Sequence, residues 1–172
     1  MTNIKYIPII DELATFILNR ARAYKKRRLL KNENIHSSVR IGNDCLIDKN
    51  VYIAQGTYIG GGGKLYAGVE SKIEIGKYCA IGYNVHIKAR SHDLKRPTST
   101  GLIKHLRIEK DIKIGDFVWI GDNVFIKEGV SIASHAIIAA NSVVVKNVNE
   151  KEIVGGVPAK HIRINNSLID SY

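Results

Sequence analysis

IGDFVWIGDNVFIKEGVSIASHAIIAANSVV, residues 114–144, carries an aliphatic residue at every sixth position, from Ile114, Ile120 and Ile126 through to Val144. This period matches neither the 3.6-residue turn of an α-helix nor the two-residue alternation of a half-buried strand. It is typical of a coiled solenoid, in which each short strand turns one side chain inward before the chain rounds a corner. The stretch therefore predicts a parallel β-helix.

The same period continues towards the N-terminus. Its predicted inward residues there are Ile41, Ile47, Ile53, Ile59, Val69, Ile75, Ile81, Ile87 and Ile108. Four residues after each inward position stands a small or β-branched residue, such as Cys45 or Thr57. We predict a mainly β fold, with hexapeptide repeats over residues 34–149, a four-residue slip around 65–68 and an excursion loop at 92–107.

The two ends of the chain leave the repeat. Residues 1–33 form an N-terminal helical segment, with one helix predicted over residues 8–31 and a basic end at 25–28. We expect its apolar stripe to pack on the open end of the solenoid or on a neighbouring subunit, because a terminal coil needs a cap. Contact with an anionic membrane surface is the less favoured alternative. Residues 150–172 are predicted to form a C-terminal tail.

The composition of the chain limits the kinds of partner and the cell compartment that we expect. The 172 residues suit one domain with an accessory element, and the net charge of +10 favours anionic partners. Nucleic acid is not expected, because no motif that reads DNA or RNA is present. Cys45 and Cys79 fall at small inward positions, which predicts buried, reduced thiols. Since the N-terminal stretch also lacks the pattern of a secretory signal, we expect a cytoplasmic protein.

The most specific stretch is Ile114–Arg163, which resembles the C-terminal signature of the hexapeptide-repeat acyltransferases. The residues that carry this resemblance are Trp119, Gly121, Asn123, Gly129, Ser142, Lys146, Gly155, Pro158, Ala159, Lys160 and Arg163. Within that superfamily the chain is most similar to the sugar O-acetyltransferases of capsule and lipopolysaccharide synthesis. The resemblance implies a left-handed parallel β-helix, acetyl-CoA as co-substrate, no metal, and a homotrimer with sites between neighbouring solenoids. The left hand comes from the resemblance alone, because crossover connections are generally right-handed.

His92 is the candidate catalytic residue. It stands where the repeat breaks, in the sequence Ser91–His92–Asp93, and the family places its catalytic histidine at such a break. Acyl transfer from a thioester to an alcohol needs a base for the hydroxyl proton, and histidine suits this role near neutral pH. His86 lies six residues earlier and is expected on another face of the coil, which argues against a zinc pair.

The remaining site residues follow from the resemblance. Those expected to bind the donor are Trp119, Ala139, Ala140, Ser142, Lys146, Lys160 and Arg163. The small residues would line a path for the pantetheine arm, and the three cations would meet the CoA phosphates. Asn84 and Asp93 are the candidate substrate-binding residues.

These observations predict an acetyl-CoA-dependent O-acetyltransferase that acts on a sugar of polysaccharide or lipopolysaccharide biosynthesis, by direct transfer with His92 as general base. N-acetylation of an amino-sugar nucleotide and acetylation of a xenobiotic are the alternative enzyme functions. A scaffolding solenoid without catalysis is the alternative from another class.

Overall fold

The computed structural model describes residues 8–30, 32–92 and 107–166. The chain begins with helix α1 (Pro8–Leu30) and continues as a β-helix with three flat faces. Within the residues described, no helix is both long and apolar enough to cross a membrane.

Each face of the β-helix is a sheet of short parallel strands. Face A contains β3 (Val51–Ile53), β6 (Ile73–Ile75), β11 (Ile112–Ile114) and β14 (Ser131–Ile132). Face B contains β1 (Arg40–Ile41), β4 (Tyr58–Ile59), β7 (Ala80–Ile81), β12 (Trp119–Ile120), β15 (Ile137–Ile138), β17 (Glu152–Gly155) and the antiparallel β18 (Lys160–Ile164). Face C contains β2 (Leu46–Ile47), β5 (Lys64–Tyr66), β8 (His86–Lys88), β13 (Phe125–Ile126) and β16 (Val143–Val144). A separate hairpin stem pairs β9 (Arg90–His92) with β10 (Arg107–Glu109).

The register of face B shows how hexads become coils. Arg40 pairs with Tyr58, and Trp119 pairs with Ile137, so a regular coil takes 18 residues, or three hexads. Tyr58 pairs with Ala80, a spacing of 22 that contains the predicted four-residue slip. Ala80 pairs with Trp119, a spacing of 39 that accommodates the excursion.

The core is a column of stacked aliphatic side chains, of which Ile81, Ile120 and Ile138 on face B are almost wholly buried. Buried polar groups are satisfied at the corners. Thr57 donates its hydroxyl to the Gly76 carbonyl at 2.8 Å and accepts the Cys79 N–H at 3.0 Å. Such pairing removes the cost of an unsatisfied buried hydroxyl.

Two predicted inward residues do not lie in this core. Val69 is 83% exposed, because the slip turns the chain outward, and the buried Ser71 hydroxyl accepts the Gly68 N–H at 2.8 Å. Ile108 pairs with Ser91 in the antiparallel stem, and the inward series resumes at the fully buried Ile112. A residue can match the six-residue period in the sequence although the chain has left the coil at that point.

Helix α1 has the expected extent, but its apolar stripe does not pack on the solenoid. Every side chain described from Asp11 to Tyr24 is exposed. Arg22 Nε lies 3.4 Å from Asp44 Oδ1 of the first coil. The helix therefore meets the solenoid through a polar contact, and the expectation that its stripe caps the open end of this chain is wrong.

Candidate functional site

The excursion begins and ends at the hairpin stem, and His92 is the last residue described before it. His92 pairs with Arg107 across the stem and is exposed. At the base of the stem, the Lys110 N–H donates to the Ala89 carbonyl at 2.9 Å. The imidazole thus stands on a two-stranded support at the point where the parallel coils are interrupted. Asp93 lies outside the residues described.

Arg90 fastens the first strand of the stem to face C. Its Nη2 lies 3.8 Å from Asp48 Oδ2, and its guanidinium carbon lies 5.6 Å from the centre of the Tyr66 ring. A cation over an aromatic face and a partly exposed ion pair are each modest contacts, on the order of 0.5–1 kcal/mol. Together they fix the direction in which the stem leaves the coil.

Glu109 fastens the second strand to the slip. Its Oε2 accepts the Glu70 N–H at 2.7 Å and lies 3.4 Å from Ser71 Oγ. A Cβ added at Gly68 would overlap the Glu109 carboxylate in this position, so the glycine leaves room for the close approach. The two irregular segments of the solenoid are therefore joined to each other, which the sequence pattern did not reveal.

His86 lies elsewhere, on face C between Lys64 and Phe125. Burial lowers the pKa of its imidazole below the ordinary histidine value, and the charges of Lys64 and Lys88 lower it further. The structure therefore separates His86 from the hairpin stem. In the residues described, no group of three or more His, Cys, Asp or Glu side chains could hold a metal ion.

Asn84 stands at the corner between faces B and C, in a ladder of amides. Its Nδ2 lies 3.4 Å from Asn123 Oδ1, and Asn123 Nδ2 lies 3.2 Å from Asn141 Oδ1. All three residues have a positive φ, between 52° and 60°, which asparagine tolerates better than most residues. Asn84 is exposed, so it can meet a ligand in addition to holding the corner.

A second ladder runs along the corner between faces A and B. The rings of Tyr78 and Phe117 stack at 5.3 Å, and Phe117 stacks on His135 at 5.1 Å with an interplanar angle of 4°. His135, which the sequence analysis did not single out, is therefore part of a corner stack. The signal was the placement of all three residues directly before a small inward residue.

The predicted donor cradle lies at the corner that follows β15. Ala140 is exposed and Ala139 is half-buried, whereas the Ser142 side chain is fully buried. The Ser142 hydroxyl donates to the Ala139 carbonyl at 2.6 Å and accepts the Gly156 N–H at 3.1 Å. Ser142 thus shapes the corner, and the two alanines form its surface.

Two of the three predicted phosphate ligands meet at one cavity. Lys146 and Lys160 both line a cavity of about 270 Å³ at the C-terminal end of the solenoid. Arg163 lies on β18, opposite Ile153, and is exposed. All three cations lie at the C-terminal end of the solenoid, as binding to the phosphates of one CoA molecule would require.

The same cavity contains an acid–imidazole pair that sequence reasoning missed. Glu152 accepts the Asn149 N–H at 2.8 Å, and its other oxygen lies 2.9 Å from His161 Nδ1. The Asn149 N–H, supported by His161, lowers the pKa of the Glu152 carboxyl below its usual value. An ionised carboxylate therefore stands among the cations of this cavity.

Trp119 projects from face B, flanked in register by Ala80 and Ile137. Its side chain is 56% exposed. The outward row of face B begins with Arg40 and is apolar from there on: Tyr58, Ala80, Trp119, Ile137 and Ile153. Those of face A are Tyr52, Glu74, Lys113 and Ser131, and Glu74 pairs with Lys72 at 2.6 Å. Face B is thus the face suited to contact with another surface.

Comparison with known protein families gives two matches inside the solenoid. The model of the bacterial transferase hexapeptide (six repeats) matches residues 111–146. The model of the hexapeptide repeat of succinyl-transferase matches residues 38–69. A search of curated protein sequences gave no match.

Comparison with solved structures also identifies proteins of similar fold. A hexapeptide-repeat acetyltransferase from Vibrio cholerae is 29% identical, with a TM-score of 0.69, and the match covers 85% of this chain and 82% of that one. A galactoside acetyltransferase solved in complex with coenzyme A is 27% identical, with a TM-score of 0.62 and coverage of 83% and 72%. A polySia-specific acetyltransferase is 30% identical, with a TM-score of 0.60 and coverage of 80% and 64%. The predicted fold, a left-handed parallel β-helix of hexapeptide repeats, is confirmed.

Proposed function

Because this chain is a hexapeptide-repeat acyltransferase, we propose that it transfers an acetyl group from acetyl-CoA to a hydroxyl group of a sugar. The observation that carries the proposal is the position of His92. An exposed imidazole stands on a fastened stem at the excursion that interrupts the parallel coils. Support for a sugar acceptor comes from the galactoside and polySia acetyltransferases that share the fold.

The reaction we propose is direct transfer. The sugar hydroxyl oxygen attacks the thioester carbonyl carbon while the His92 imidazole takes the hydroxyl proton. The tetrahedral intermediate collapses, the carbon–sulfur bond breaks, and the proton passes from His92 to the departing CoA thiolate. Burial raises the pKa of the Cys79 thiol, so this thiol is poorly suited to form an acetyl-enzyme.

The donor would lie along the C-terminal corners of the solenoid. Ala139 and Ala140 offer a surface without bulky side chains for the pantetheine arm. Lys146, Lys160 and Arg163 supply positive charge for the phosphates of CoA. Trp119 stands on the adjacent face, where its ring could flank the donor or meet another subunit.

We further propose a homotrimer, since flat-faced prisms pack naturally about a three-fold axis. The apolar outward row on face B, contrasted with the charged face A, supports contact through face B. Cytoplasmic residence fits the buried thiols of Cys45 and Cys79, which donate to the carbonyls of Gly60 and Gly115. Asn84, which is exposed near the donor corner, is proposed to contact the sugar.

The test is thiol release from acetyl-CoA in the presence of a panel of sugars, amino-sugar nucleotides and xenobiotic amines and alcohols, with the products identified by mass spectrometry. Release that depends on a sugar, with an O-acetyl product, supports the proposal. An N-acetyl product would favour the amino-sugar or xenobiotic function. Absence of release with every acceptor would favour a scaffolding solenoid.

A further inference from the structure

Helix α1 exposes large apolar side chains that the solenoid does not cover. Leu13, Phe16 and Ile17 are each 56–57% exposed, and Tyr24 is 72% exposed. Burying large apolar side chains is favourable, so a row of exposed ones on a helix marks a contact surface.

The helix is oriented with its polar side towards the solenoid. Arg22, which pairs with Asp44 of the first coil, follows Leu13 by nine residues. Nine residues are about two and a half helical turns, so Leu13 lies on the side opposite Arg22. Ile17 and Tyr24 share the side of Leu13, at helical spacings of four and eleven residues. These apolar side chains, with Arg20 beside them on the same side of the helix, therefore point away from the body of the protein.

The same helix is strongly basic towards its C-terminal end. Arg20 and Arg22 are followed in the sequence by the run Lys25–Arg28, against two acidic residues, Asp11 and Glu12, near its start. A partner of this helix must offer an apolar layer and negative charge together. The basic ends of two copies of this helix would repel each other, which disfavours pairing of α1 with itself.

We propose that α1 lies on an anionic phospholipid surface. Leu13, Ile17 and Tyr24 enter the boundary between headgroups and acyl chains, and the basic end meets the headgroup phosphates. The Arg22–Asp44 pair holds the solenoid on the water side of the helix. This inference depends on the contacts and charges of α1, and it does not rest on the proposed acetyl transfer.

The test is flotation of the full-length protein with phosphatidylcholine vesicles, with or without phosphatidylglycerol. We expect binding to the vesicles that contain phosphatidylglycerol, and weaker binding at high salt, because screening acts on the headgroup contacts. Ile17→Ser should weaken this binding about tenfold, since it removes one buried apolar side chain. Replacing Lys25, Lys26, Arg27 and Arg28 by Gln should weaken it by about two orders of magnitude or more.

Leu18→Ser is the matched control. Leu18 is as exposed as Ile17 but lies four residues before Arg22, on the side that faces the solenoid. We expect its effect on vesicle binding to stay within about twofold. Both variants replace exposed residues, so the thermal unfolding of the solenoid should be unchanged.

Absence of flotation with either vesicle type would overturn the proposal, as would equal losses in the Ile17 and Leu18 variants. Sedimentation tests the other candidate partner of this helix face, a second copy of the chain. If Ile17→Ser lowers the oligomeric state and leaves vesicle binding intact, a second copy covers α1 and the lipid proposal fails.

Discussion

The regular coils and the hairpin stem are held in place by different means. A coil strand such as β12 is paired on both sides at fixed register, and its inward Ile120 is fully buried. The stem pairs only with itself among the residues described, and Arg90 and Glu109 tie it to the solenoid. Stability is thus spread over many similar coils, whereas the placement of the proposed base depends on a few polar contacts.

The largest effect should come from His92. His92→Ala removes the proposed base and should reduce kcat by roughly 10²–10⁴-fold. His86→Ala, on face C, should have a mild effect. Steady-state rates with a sugar acceptor measure both, and equal losses in the two variants would contradict the assignment.

Replacing a buried isoleucine and replacing a stem isoleucine should lower the free energy of unfolding by different amounts. Ile120→Ala leaves a cavity in the core and should lower the free energy of unfolding by about 2–5 kcal/mol. Ile108→Ala, in the half-exposed stem, should cost well under half of that. Thermal or urea unfolding compares them, and a larger loss for Ile108 would show that the stem is part of the core.

The contact between the stem and the slip can be broken at Gly68. In Gly68→Ala the added methyl group displaces the Glu109 carboxylate from the Glu70 N–H, and the loss of this tie should reduce kcat by at most about tenfold with little change in KM for acetyl-CoA. Adding Glu109→Ala removes the clash, so the double variant should be no slower than Glu109→Ala alone. A double variant that shows the full product of the two losses would refute this coupling.

The C-terminal cations should have smaller effects. Single alanine variants of Lys146, Lys160 and Arg163 should each raise KM for acetyl-CoA about fivefold, equivalent to about 1 kcal/mol, and leave KM for the sugar unchanged. Salt should weaken donor binding more in the parent protein than in the variants. A triple variant with unchanged donor affinity would place the phosphates elsewhere.

The smallest expected effect is on how thermal stability changes as the pH falls. Because the folded-state pKa of Glu152 is lowered, its carboxylate contributes stability above the unfolded-state pKa, and that contribution is lost as the pH falls through the folded-state value. Glu152→Gln should therefore unfold at a lower temperature than the parent near neutral pH, and the difference should shrink in acid. A constant difference between the two proteins across this range would contradict the role of the carboxylate.

The sequence predicted the coils well because the inward stack repeats the same physical requirement every sixth residue. The six-residue pattern failed where particular hydrogen bonds, and not the burial of an aliphatic side chain, direct the chain. Val69 and Ile108 match the period in sequence, but the Ser71 turn and the antiparallel stem take them out of the core.

The candidate site shows the same division. His92 is proposed from the break in the repeat, and Lys146 and Lys160, which line one cavity, from the resemblance. Glu109, Glu152 and His161 belong to no period or motif, and their contacts join segments far apart or at the end of the solenoid. Such contacts depend on where the coils bring side chains together, which the spacing of residues does not encode.

The most direct test of the account measures acetyl-CoA affinity and acetylated-sugar formation on the same preparation of His92→Ala beside the parent protein. We expect the parent protein to form O-acetyl sugar and CoA in equal amounts. We expect the variant to bind acetyl-CoA with unchanged Kd and to form product at least about a hundredfold more slowly. Product formation at the parental rate in the variant would show that the imidazole at the excursion is not the base for acetyl transfer.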